Sequence, residues 1–380
     1  MKRLGSVMIT VACVAALAAC EGPAGPAGVP GGEGPQGPAG PAGPPGVDAT
    51  ANCTQCHVSD VTLFAKQVQY QQSTHRLGGN FERNATSCAI CHTHQGFLER
   101  VASGAYATAQ TIQDPAPINC RTCHQIHTTY TDADYAFTAT TPFDLYNEDY
   151  ATGNTITKDY GAAAGNLCAR CHQARKLSSG VANGAVPQIN GPDVQVTSTR
   201  YGTHHGPQAQ VLAGVGLYEF SGSETVLGQP TSHGDPAKNV RLCATCHMAT
   251  AAGVEYGGHT WRVAFLSNGS KEENVAGCNL SQCHNGAVDD FTALGDVQAQ
   301  ILPLLQQLDT LLVNAGIKQI ISPGYTIHDL NARTNTGTYP ANIAAAMLNW
   351  QLITEDRSLG LHNAPYVRAV LTNTIEAITP

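Results

Sequence analysis

Residues 118–127 read Ile118-Asn119-Cys120-Arg121-Thr122-Cys123-His124-Gln125-Ile126-His127. The kernel of this stretch is two cysteines three positions apart with a histidine directly after the second. It recurs as Cys53-Thr-Gln-Cys56-His57, Cys88-Ala-Ile-Cys91-His92, Cys168-Ala-Arg-Cys171-His172 and Cys243-Ala-Thr-Cys246-His247. A sixth copy is stretched by two residues, Cys278-Asn-Leu-Ser-Gln-Cys283-His284. The first cysteines are spaced 35, 32, 48, 75 and 35 residues apart, and the six copies take in 12 of the 14 cysteines.

The repetition selects one chemistry. A lone C-x-x-C also suits half of a zinc site or a redox-active dithiol, and paired cysteines in an exported chain can form disulfides. Zinc does not require a histidine directly after the second cysteine six times over, and a disulfide requires none. C-x-x-C-H is the attachment signature of c-type haem. Two thiols one helical turn apart reach the two vinyl groups of a porphyrin, and the next histidine lies under the iron as proximal ligand. The sequence therefore implies six covalent haems. They would be held by Cys53, Cys56, Cys88, Cys91, Cys120, Cys123, Cys168, Cys171, Cys243, Cys246, Cys278 and Cys283. Their proximal ligands would be His57, His92, His124, His172, His247 and His284. For the stretched copy the alternative is a local disulfide beside a free His284.

Nine of the 15 histidines remain for six distal positions. Bis-histidine ligation gives a low-potential centre for electron transfer, whereas an open position admits a substrate. The chain has four methionines, too few and too scattered to serve as the common sixth ligand, and no C-x-x-C-Lys variant. The candidates are His75, His127, His233, His259, His362 and one or both of His204 and His205. His127 follows His124 by three residues, so on a helical turn it would point to a neighbouring haem. His94 and His328 read instead as solvent-facing or propionate-bonding imidazoles. An electron carrier follows if all six irons are bis-histidine; a reductase of a small nitrogen or sulfur oxyanion follows if one is open.

Outward from the motifs lies the amino terminus, MKRLGSVMITVACVAALAAC. Lys2 and Arg3 precede an apolar run from Val7 to Ala19, too short to span a bilayer comfortably and suited to a secretory signal. Leu17-Ala18-Ala19-Cys20 resembles a bacterial lipobox, which implies cleavage before Cys20 and a membrane anchor of two or three acyl chains there. The alternative is a plain signal peptide. From Gly22 to Gly46 glycine occupies every third position, with proline between. Such a strand has polyproline II geometry and buries no core. It is either a stiff spacer about 75 Å long at ~3.1 Å per residue or a short collagen-like triple helix that trimerises the chain.

The segments are thus a signal peptide (1–20), a collagen-like stem (21–47), a haem-binding module (48–290) and carboxy-terminal helices (291–380). Charged residues make up 13% of the 380, about half the usual share, and the net charge is −8. A nucleic-acid binder would show a basic stripe instead. Between the motifs, Gly, Ser, Thr, Asn and Pro predict irregular chain with helical turns at the motifs and little sheet. Residues 138–161 and 180–202 lack helical periodicity and read as surface loops. Val297, Ile301, Leu304, Leu308, Leu311 and Leu312 repeat at helical spacing, with a start or kink at Pro303. Ile343, Met347, Trp350 and Ile353 mark a second helix, and Asn363-Ala364-Pro365 starts a third.

Ser87-Cys-Ala-Ile-Cys-His-Thr-His, Leu167-Cys-Ala-Arg-Cys-His-Gln-Ala-Arg, His204-His-Gly-Pro-Gln and Gly257-Gly-His-Thr-Trp, with the opening stretch, resemble exported multihaem c-type cytochromes of metal-respiring bacteria. Arg357-Ser-Leu-Gly-Leu-His-Asn also resembles the carboxy-terminal helical region of the nitrite reductase and hydroxylamine oxidoreductase group, where such a histidine caps a haem. The resemblance covers about residues 50–380. It implies a mostly α and irregular multihaem cytochrome c fold, a closely stacked haem chain, and electron transfer at or beyond the outer membrane. The partner would be a redox protein or an extracellular acceptor. Some members polymerise into filaments; free filaments generally lack a lipid anchor, so the lipobox departs from that pattern.

Overall fold

The computed structural model describes residues 61–77, 82–148, 155–175, 180–203, 206–251, 253–267, 269–293, 295–319 and 334–380. The expected signal, Cys20, the stem, the first motif (Cys53, Cys56, His57) and His204, His205 and His328 lie outside the described residues. Asp48–Pro380 is one compact unit that contains both the later motifs and the carboxy-terminal helices.

The unit is mostly helical and irregular, with little sheet. Helix α1 (Val61–Gln71) leads into a 3₁₀ turn, Thr74–Leu77, that carries His75. Helix α2 (Thr86–His92) contains the second motif, and α3 (His94–Ser103) follows after one residue. That residue, Thr93, caps α3 by accepting from the Gly96 N–H at 3.0 Å. Gly96 lies so close to α2 that a Cβ would fall 2.4 Å from the Ala89 carbonyl oxygen, so only glycine lets the two helices meet there.

The third motif forms one turn, α4 (Cys120–Cys123), started by Asn119, whose side chain accepts from the Arg121 N–H at 2.9 Å. Helix α5 (Gly165–Ala169) runs into the fourth motif; α6 (Gln208–Ala213) follows, and α7 (Cys243–His247) is the fifth motif. The stretched sixth motif forms turns instead. Its His284 N–H still donates to the Cys278 carbonyl at 3.0 Å, as His124 does to Cys120 at 2.9 Å and His172 to Cys168 at 3.0 Å. The two extra residues bulge outward while the first cysteine and the histidine keep the same backbone relation.

Three two-stranded antiparallel ribbons are described: β1 (Phe143–Glu148) with β2 (Thr155–Lys158), β3 (Val194–Val196) with β6 (Gly337–Tyr339), and β4 (Ala264–Ser267) with β5 (Ser270–Glu273). Two of them correct the expected surface loops. In 138–161, Phe143 and Leu145 of β1 are buried against Tyr160, Leu212 and Leu242. In 180–202, Val181, Val194, Val196 and Tyr201 are buried, and the partner of β3 lies some 140 residues downstream. A three-residue strand paired over that distance leaves no local periodicity to read.

The main core is carboxy-terminal. Helices α8 (Val297–Asn314), α9 (Ala341–Asp356) and α10 (Ala364–Ile378) pack around Leu308, Leu312, Met347, Leu348, Leu352 and Val370. Helix α8 starts at its Asp296 cap, which accepts from Ala299 N–H at 3.2 Å, and continues through Pro303. Pro303 and Ala299 are both exposed, so the carbonyl that lacks a proline N–H faces water. Helix α9 is buried on every face from Ala344 to Asp356.

Buried amides tie the middle of the chain to these helices. Asn349 accepts from Tyr218 N–H at 2.7 Å and donates to the Tyr218 carbonyl at 2.8 Å. Asn373 donates to the Phe220 and Glu224 carbonyls at 3.0 and 2.9 Å. Gln351 donates to the Tyr201 carbonyl at 2.9 Å. Leu308 is wholly buried, so Leu308→Ala should lower the unfolding free energy by about 2–5 kcal/mol. Guanidinium denaturation followed by far-UV circular dichroism checks this; a loss under 1 kcal/mol would show that the three helices do not unfold with the measured transition.

Candidate haem-binding sites

The structure brings motif histidines and distant histidines together in pairs. His172 of the fourth motif faces His75 with ring centroids 6.0 Å apart. His124 of the third faces His259 at 6.3 Å, His247 of the fifth faces His362 at 6.3 Å, and His284 of the sixth faces His233 at 6.1 Å. These are not stacking contacts, since the ring planes are inclined by 80°, 40°, 40° and 73° respectively. Metal–imidazole bonds are about 2.0 Å long, and the ring centre lies about 1.1 Å behind the bonded nitrogen. One metal between two opposed imidazoles therefore sets their centroids about 6 Å apart, whatever the twist between them.

Local structure orients the rings. His124 Nδ1 donates to the Tyr135 carbonyl at 2.7 Å, His247 Nδ1 to the Trp261 carbonyl at 3.0 Å and His233 Nδ1 to the Leu361 carbonyl at 3.0 Å. His172 Nδ1 donates to Gln208 Oε1 at 3.2 Å, and His362 Nδ1 to Asp356 Oδ1 at 2.6 Å. In each case the acceptor fixes the proton on Nδ1 and leaves the Nε2 lone pair for a metal. Burial, then the neighbouring imidazoles, hold His75 at about 4. Burial likewise takes His247 and His259 down to about 4. These rings are neutral at pH 7, the form that ligates. At His362 burial also favours the neutral form, but Asp356 outweighs it and raises the pKa.

Trp261 joins three of these sites. Its backbone carbonyl holds His247, and its indole meets His75 edge-on at 4.5 Å and His259 at 5.5 Å. Gln208 bridges two: while accepting from His172, it donates to the Glu355 and Asp356 carbonyls at 3.3 and 3.2 Å.

The ten described motif cysteines are free thiols. Thiols of different motifs meet: Cys91 with Cys171, Cys168 with Cys243, and Cys246 with Cys278. Cys123 interacts electrostatically with Cys168 and Cys171, and burial pushes its own pKa up to about 12. The contacts run from the second motif to the fourth, fifth and sixth, with the third beside the fourth. Close backbone approach makes this order possible. At Gly277 a Cβ would lie 2.2 Å from the Thr245 carbonyl oxygen and 2.8 Å from Cys246 Cα.

A buried pair of cations lies beside the thiols of the second and fourth motifs. Arg100 Nη1 donates to the Arg170 carbonyl and to Cys91 Sγ, the latter at 3.5 Å. Arg170 Nη2 donates to the Thr141 carbonyl at 3.1 Å, and its buried Nε has no partner. Among the described residues no carboxylate pairs with either guanidinium. Aromatic faces partner them instead: Arg100 lies 4.9 Å from the Tyr106 ring and Arg170 4.7 Å from the Phe143 ring. Paired imidazoles and free thiols together fit c-type haem.

The remaining candidates fall differently. His94 Nδ1 is hydrogen-bonded to Thr122 Oγ1 at 3.0 Å, inside the third motif, and no imidazole faces it among the described residues. The premise for His127 is corrected: α4 ends at Cys123, and His127 has φ 66° in a left-handed turn with its ring stacked on Tyr130. The third motif's turn ends there because Gln125 N–H bonds the Ala136 carbonyl and His124 bridges to Phe137. Asp356, Gln208, Trp261 and the arginine pair were not singled out as site residues by the sequence. Gln208, Trp261 and Arg170 lie inside quoted motifs and Asp356 directly precedes one, whereas Arg100 lies in none.

No family model and no curated protein matches the chain. Among solved structures, the outer cell wall cytochrome OcwA is similar at a TM-score of 0.45 and 18% identity, over 83% of this chain and 50% of that one. The chain thus spans half the length of OcwA. Replacing Gly277 with alanine should displace the Thr245 carbonyl, at about 1–3 kcal/mol, and lower the thermal midpoint of the purified protein. An unchanged midpoint would mean that the fifth and sixth motifs are not held in contact.

Proposed function

We propose that the chain is a hexahaem c-type cytochrome that carries electrons at the outer membrane or cell surface. The observation that carries this reading is the set of four imidazole pairs, each joining a motif histidine to a distant one at 6.0–6.3 Å. On this reading the axial pairs are His172 with His75, His124 with His259, His247 with His362 and His284 with His233. His57 and His92 are the proximal ligands of the first and second haems, whose distal ligands come from the remaining candidates, His127, His204 and His205 among them. When bound, each haem supplies a reversible one-electron Fe(III)/Fe(II) couple.

The protein's own residues do the rest. The cysteines fix each porphyrin, the paired imidazoles exclude substrate from the metal, and the Nδ1 acceptors lock the rings. Arg100 and Arg170 place positive charge beside the second and fourth motifs. The thiol contacts give the electron path an order of second, fourth, fifth, sixth, with the third branching at the fourth. Cys283 and His233 at the sixth site are exposed, as is Cys120 at the third, which makes both of these sites exchange points with a redox protein or an extracellular acceptor. No helix among the described residues is long and apolar enough to cross a membrane, and attachment to the outer membrane is assigned to acyl chains on Cys20.

Intact-mass and peptide analysis of the purified protein should find six haems, one per cysteine pair, and electron paramagnetic resonance should find only low-spin ferric iron. His259→Ala should keep all six haems and convert one to high spin. Fewer than six haems, or high-spin iron already in the unaltered protein, would overturn the hexahaem wire.

A further inference from the structure

The axial pairs are not chemically alike. Four described Nδ1 atoms, those of His124, His172, His233 and His247, donate to neutral oxygens: three backbone carbonyls and one amide. The fifth, His362, donates to a carboxylate at 2.6 Å. Asp356 is buried, with 1% of its side chain exposed. Its second oxygen accepts from Ser358 Oγ and, at 3.3 Å, from the Ser358 N–H. Neither lysine nor arginine pairs with it among the described residues; the adjacent Arg357 reaches Glu355 instead, at 3.8 Å.

Its place in the fold adds to the imbalance. Asp356 is the last residue of α9, a helix of 16 residues. The carboxyl end of a helix carries partial negative charge and disfavours an anion. A buried carboxylate is costly unless hydrogen-bonded or faced by a positive group, and what faces this one is the Nδ1–H of His362 at 2.6 Å. Among the five histidines whose Nδ1 partner is described, the fold thus places a fixed negative charge behind one, His362.

We propose that Asp356 lowers the reduction potential of the haem bound at Cys243 and Cys246, and so sets a negative step in the interior of the electron path. The inference rests on the cytochrome reading above. A carboxylate hydrogen-bonded to a ligating imidazole raises its basicity and electron donation to the metal. The extra negative charge favours Fe(III) over Fe(II), whose charges differ by one. On one-electron reduction the electron comes from the external donor, no bond at Asp356 breaks, and its proton partner stays on His362 Nδ1. The thiol contacts place the fifth motif between the fourth, through Cys168 and Cys243, and the sixth, through Cys246 and Cys278. The exposed sixth site is thereby separated from the second, third and fourth by the hardest haem to reduce, so it can hold an electron without sharing it at once.

Spectroelectrochemical titration of the fully loaded protein tests this in three forms: unaltered, Asp356→Asn and Asp356→Glu. In D356N one one-electron component should move positive by at least a tenfold change in its ferric-to-ferrous ratio, about 59 mV for one electron, with the others moving much less. D356E keeps the charge and should stay near the unaltered potential. Potentials unchanged in D356N with six low-spin haems would overturn the proposal and leave the cytochrome reading intact. Equal shifts in D356N and D356E would also overturn it, by showing that side-chain length and not charge sets the potential. A missing haem on the Cys243–Cys246 peptide of the unaltered protein would instead remove the reading on which the proposal stands.

Discussion

Two imidazoles facing each other across about 6 Å, from parts of the chain far apart in sequence, constitute the constraint around which the molecule is arranged. Each pair demands that a motif and a distant loop hold a fixed separation. The backbone answers with short pieces rather than long ones. A 3₁₀ turn presents His75, another presents His259, and helical turns present His92, His124 and His247. Short pieces suffice where the rings themselves are held, as His124, His233 and His247 are by backbone carbonyls, His172 by Gln208 and His362 by Asp356.

Low charge and scarce aromatic residues fit that plan. Where an ordinary domain of this length would fill its centre with side chains, the described apolar clusters outside the carboxy-terminal helices are small. The larger core lies among α8, α9 and α10, and its buried amides reach out to grip the chain at Tyr201, Tyr218 and Phe220. Through Gln208 and the α9 terminus that core also supports the fourth and fifth sites. The carboxy-terminal helices thus act as a scaffold for the motif region more than as a separate packing unit.

The motif histidines could be read directly because haem attachment fixes residue types at fixed spacing. The three carboxy-terminal helices were legible for a similar reason: their apolar residues recur every three or four positions, and Asn363 and Pro365 mark a start. Partners were harder. His75, His233, His259 and His362 were among nine candidates, but nothing local tells which motif each one faces. The Phe143 hairpin and the Val194 strand were misread as loops because their burial depends on residues far away in the chain. Asp356 was invisible for a related reason. A carboxylate six residues before a histidine, Asp356 and His362, signifies nothing until Ser358 and the helix end curl the chain back on itself.

The direction in which each distant partner lies has a consequence for assembly. His75 precedes the fourth motif and His233 precedes the sixth, so in a chain made from its amino terminus both partners are already present when those motifs emerge. His259 follows His124 by 135 residues, and His362 follows His247 by 115. The third and fifth sites must therefore wait, half-built, until later chain arrives, and the fifth can close only when the last turn before α10 is delivered. The same turn brings Asp356. The site with the negative charge behind it is thus among the last to be finished, and a chain cut short anywhere before residue 362 would leave the His247–His362 pair unmade.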